Sequence, residues 1–152
     1  MEGAMALKSK DSHKAQEKQL VRALKQWQAV EDQSIKMSRT VQAQTKNPLV
    51  HTVMEIIAHD SAMHRRVQQF PIDSIEQTAI TLRPEELEEI WDQIAKHIAE
   101  EKKTIDLAEQ AKASARLFVQ RHLLNYLLED ERKHDLLLER LEEIKNRIYP
   151  YA

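Results

Sequence analysis

Residues 123–141, LLNYLLEDERKHDLLLERL, decide how the chain is read. Leu124, Leu127, Leu128, Leu138 and Leu141 fall on one stripe at the three-and-four spacing of an amphipathic helix. In the middle of that stripe stand Glu131 and His134, a Glu-x-x-His pair where apolar side chains are expected. A carboxylate centred on an apolar face must be paired, protonated or metal-bound to tolerate desolvation. In so charged a helix the pair alone is weak evidence. Its weight comes from what the rest of the chain repeats.

Working outward, Glu101 follows Ile94 and Ile98 and precedes Ile105, with His97 one turn earlier. Glu31 sits between Trp27 and Ile35, and His64 between Ile57 and Val67. Glu31 to His64 is 33 residues, and Glu101 to His134 is also 33. The two halves therefore superpose at an offset of 70, which lays Ala29 on Ala99, Ile35 on Ile105, Asp60 on Asp130 and Trp27 on His97. Most other positions differ, so the repeat is a placement of ligand-type residues and not evidence of duplication.

A single Gly in 152 residues argues against a β chain, which needs turn glycines at short intervals, and the expectation is an all-α protein. Four amphipathic spans separate at the few breakers. The first runs over residues 12–46 with the stripe Leu20, Leu24, Trp27, Ile35 and Val41. Asn47 and Pro48 read as an N-cap and first helical residue, opening a second helix to about residue 69. Residues 71–83 show no sustained period and read as a linker. Pro84, with Glu85 and Glu86 at the positive helix end, opens a third, whose stripe includes Leu87, Ile90 and Trp91. Ser114 is the expected cap of a fourth, which carries Leu117 and the leucines quoted above to about residue 147. Residues 1–11 are expected as a flexible tail, 12–148 as one domain and 149–152 as a second tail.

The 23 Lys and Arg against 25 Asp and Glu give a net charge of −2, no footprint for a phosphate backbone, so no nucleic-acid partner is expected. Absence of Cys excludes disulfides, thiolate metal sites and thiol catalysis, leaving oxygen and imidazole as ligands. With no apolar run of about 18 residues and no cationic leader, the expectation is a cytoplasmic chain with no membrane partner.

This pattern resembles the ferritin-like, rubrerythrin-like diiron-carboxylate four-helix bundles, in which two helices give one Glu each and two give Glu-x-x-His. The likeness covers roughly residues 20–145 and is closest over residues 99–143. It implies two helical hairpins joined by a long crossover, with the second and third helices parallel. Carried over residue by residue, it makes Glu31 and Glu101 terminal carboxylates, gives His64 and His134 one metal each, and makes Glu131 bridging. The other bridging Glu is missing: Ser61 stands there. Asp60, four residues before His64, is the candidate substitute.

The implied cofactor is iron, two ions or one if Ser61 cripples the second position, with Mn or Zn also admitted by this donor set. O2 or peroxide would be the small-molecule substrate, and turnover would need an external electron donor. Hydroxylation, peroxide reduction and iron oxidation stay open as activities, as does whether the protein is an enzyme. A homo-oligomer is expected. The alternative is a degenerate bundle without a working dinuclear site, acting in dimerisation or partner binding. There His64 and His134 are core histidines hydrogen-bonded to Glu31 and Glu101. His97 reads as a core residue or an outer partner of the ligands, and His13, His51, His59 and His122 as surface residues.

Overall fold

Asn47 stops one helix and starts the next. In the computed structural model, which describes residues 2–79 and 82–148, Asn47 Oδ1 accepts from the N–H groups of Leu49 and Val50 at 3.0 and 3.3 Å. Pro48 follows where no N–H is needed. Four helices form: α1 (Glu2–Gln44), α2 (Pro48–Glu76), α3 (Pro84–Ser114) and α4 (Phe118–Ile148), with no strand among the described residues. Helical backbone runs through residues 2–11, where a flexible tail was expected, and the tail at 149–152 lies outside the described residues. Where the sequence suggested one domain, the chain divides into two compact units, Met1–Ile80 and Thr81–Ala152. Each is a helical hairpin, α1 on α2 and α3 on α4.

In the first hairpin α1 buries Val21, Gln28, Glu31 and Ser38, and α2 buries Ser61, Gln68 and Ile72. Of these only Val21 and Ile72 are apolar, so polar groups must satisfy one another along the seam. Gln28 Nε2 donates to the Arg65 carbonyl at 3.1 Å and to Gln69 Oε1 at 2.9 Å. Gln42 Nε2 reaches the His51 carbonyl at 3.2 Å, and Ser61 Oγ reaches Ser34 Oγ at 3.0 Å. Gln68 is the exception: both its amide atoms are buried without a hydrogen-bond partner.

The expected linker at 71–83 is shorter in the structure, because α2 continues through Pro71 to Glu76. A proline inside a helix costs about 3 kcal/mol by removing a hydrogen bond and crowding the preceding turn. Burial of Ile72, only 1% exposed, returns roughly 1.5–3 kcal/mol of that. The remaining turn is tied down by Lys25 Nζ to Glu76 Oε1 at 2.7 Å, Gln69 Nε2 to Asp73 Oδ1 at 2.8 Å, and Gln77 N–H to the Asp73 carbonyl at 2.9 Å. Residues 77–83 are what is left to link α2 to α3.

The second hairpin starts as expected. Arg83 N–H donates to Glu86 Oε2 at 2.9 Å, its Nη2 meets Oε1 at 3.0 Å, and Pro84 takes the first helical position. Leu87 and Leu128 are buried along the α3–α4 seam. Ser114 does not cap α4. It ends α3, with its Oγ donating back to the Gln110 carbonyl at 3.0 Å. The chain breaks at Ala115 in extended conformation, and Leu117 N–H donates to Gln120 Oε1 at 3.2 Å, half of a capping box for α4. Leu117 therefore lies before α4, exposed and not on its core stripe.

Leu20, Trp27, Val41, Ile57, Val67, Ile90 and Leu127, all expected on core stripes, are also exposed. Two helices packed as a pair cover one narrow seam on each, and these residues lie beside it. Among the described residues no helix is long and apolar enough to cross a membrane.

Candidate metal centre

A Glu-x-x-His pair puts both side chains on one face of α4 because positions three apart are neighbours on a helix. Antiparallel packing then brings Glu101 of α3 against that face. Glu101, Glu131 and His134 each offer a ligand atom within 4.8 Å of the other two. His134 Nδ1 stands 3.4 Å from Glu131 Oε2 and 3.8 Å from Glu101 Oε2. The Glu101 side chain is 12% exposed, Glu131 23% and His134 41%, so the cluster opens outward on the imidazole side.

Two of the three ligand-type groups also have a contact outside the cluster. His97 Nε2, one turn before Glu101, donates to Glu101 Oε1 at 2.8 Å. Glu101 Oε2 is buried and has no hydrogen-bond partner. His134 Nε2 faces Asp130 Oδ2 at 3.6 Å, and Asp130 itself pairs with Lys133. Burial and, next, the neighbouring Glu101 carboxylate push the Glu131 carboxyl above the usual range, against the opposing pull of His134. Asp135, one turn after Glu131, also buries Oδ1 without a partner. Sequence reading passed over Asp135 because it directly follows His134 in a charged run.

The first hairpin repeats the register with fewer donors. Glu31, buried, meets His64 across the seam at 3.4 Å between Oε1 and Nδ1, while the His64 side chain is 59% exposed. Glu31 faces His64 as Glu101 faces His134, so the 33-residue spacing recurs in space. Ser61 occupies the place of Glu131 and is engaged by Ser34. Asp60 pairs with His59 at 3.7 Å and is not drawn to Glu31 and His64. Of the six residues named from sequence, three converge in α3–α4, two pair in α1–α2, and Asp60 joins neither set. Among the described residues Glu101, Glu131 and His134 make the only group of three metal-type donors.

No protein-family model, characterised protein or solved structure matches the chain.

Proposed function

We propose that the chain is a carboxylate and imidazole metal-binding protein, with iron the ion implied by its ferritin-like resemblance. The observation that carries this reading is the convergence of Glu101, Glu131 and His134. The group fits a cation. Glu101 keeps a buried oxygen with no donor, and the negative charge of Glu131 is disfavoured by burial and by the Glu101 carboxylate beside it. Two carboxylates and one imidazole suit Fe(II), with Mn(II) and Zn(II) as competitors. Asp130 Oδ2 lies 3.6 Å from His134 Nε2, on the side where outer carboxylates stand behind metal-binding histidines.

Glu31 and His64 form a separate and poorer pair of donors within the first hairpin, which Asp60 does not join. Each hairpin also exposes apolar side chains beside its seam, Trp27, Val30 and Val67 in the first and Leu127, Leu137 and Ile144 in the second. Covering these faces with a second copy of the chain makes the protein a homo-oligomer. Bound iron would supply electron exchange with O2 or peroxide, and the chain, lacking Cys, would take electrons from an external donor.

Elemental analysis after mild purification tests the reading. Iron, manganese or zinc retained by the parent and lost in Glu131→Ala supports it; a metal-free parent that takes up none of these ions rejects it. The second reading, a bundle without a working dinuclear site that serves dimerisation or partner binding, is favoured by the hydrogen bond between Ser61 and Ser34. It expects no metal in either protein.

A further inference from the structure

We infer that His97 is a positioning residue of the metal site, holding Glu101 Oε1 so that Oε2 is presented to Glu131 and His134. This inference rests on the metal-binding reading above. The geometry is specific. The His97 Nε2 to Glu101 Oε1 distance is 2.8 Å, while the other oxygen of the same carboxylate lies 3.8 Å from His134 Nδ1, buried and without a hydrogen-bond partner. One carboxylate oxygen is thus committed outward and the other is left with no partner but the cluster.

The arrangement matters because a glutamate has three side-chain torsions, and an ion gains most from a ligand already held in place. His97 lies four residues before Glu101 on the same helix, so the contact is fixed by α3 alone and survives small shifts between α3 and α4. The ring is 62% exposed, so its removal leaves no buried cavity. Its Nε2–H is spent on Glu101, which separates it from His134, whose Nδ1 faces both carboxylates. The first hairpin has no such device. Trp27 stands at the equivalent place, and Glu31 Oε1 instead meets His64 across the seam at 3.4 Å.

Co(II) titration of the full chain, followed by its visible absorption, tests the assignment in the parent, His97→Ala, His97→Gln and Glu131→Ala. The parent binds, Glu131→Ala does not, His97→Ala weakens binding about 10-fold or more, and His97→Gln, which keeps an N–H donor, recovers most of the loss. At saturation the absorption bands of parent, His97→Ala and His97→Gln coincide, since the coordinating atoms are the same. Equal affinity in His97→Ala and parent overturns the inference and leaves the metal reading standing. Bands that shift in His97→Ala make His97 a ligand and overturn the positioning role. A parent that binds no Co(II) overturns both.

Discussion

Ser61 Oγ donates to Ser34 Oγ at 3.0 Å across the first hairpin, at the register that Glu131 holds in the second. The two hydroxyls satisfy each other inside the seam, Ser61 being only 5% exposed. A hydrogen-bonded pair of small side chains thus fills the place of a carboxylate. The two hairpins share this register, and the first has one carboxylate fewer.

Supplying that carboxylate has two opposite effects. Ser61→Glu sets a carboxylate beside buried Glu31 and removes the bond to Ser34, so the metal-free variant loses about 1–3 kcal/mol, read as a lower thermal midpoint. With Fe(II) or Mn(II) added, the loss is recovered and stoichiometry rises from about one ion per chain toward two. A Ser61→Ala control loses only the hydroxyl pair and gains no metal.

The raised Glu131 carboxyl gives stability a pH dependence of known sign. Between the ordinary carboxylate value and the raised one, the folded chain binds more protons than the unfolded chain, so stability falls as pH rises through that window. The penalty is absent below the ordinary value and complete above the raised one. Urea midpoints of the metal-free protein from pH 4 to 8 show this slope for the parent, and Glu131→Gln flattens it and is the more stable of the two at neutral pH.

Ile72 is the anchor that carries α2 beyond Pro71. Ile72→Ala costs about 2–5 kcal/mol in urea unfolding and frays residues 71–76, seen as faster amide exchange there. Pro71→Ala returns an N–H to the helix ladder and raises the midpoint.

Gln68 carries a buried amide with neither atom bonded. Gln68→Leu keeps the bulk, removes the desolvated dipole and stabilises the first hairpin by about 1 kcal/mol in the same measurement. A loss of stability there would show that water satisfies the amide.

Much of this was legible in the chain because it depends on local rules. One Gly and the three-and-four periodicity gave helices. Asn47–Pro48 and Pro84 gave their starts, and charged residues inside apolar stripes marked Glu101, Glu131 and His134 before any contact was visible. Helix ends that depend on packing were not legible. Pro71 signals a break, and only the burial of Ile72 against α1 overrides it; Ser114 looks like a cap, and only the extended Ala115 shows where α3 stops.

The sequence by itself determined which residues carry charge on apolar faces, and that they recur 33 apart at an offset of 70. Tertiary structure alone decided what meets across each seam: Glu101 against the Glu131–His134 pair, Ser61 spent on Ser34, Glu31 against His64. The reason is physical. Periodicity fixes the direction in which a side chain leaves its helix to within a face, whereas a contact depends on the rotation and register of a second helix, set by the sum of many weak packing terms along the seam.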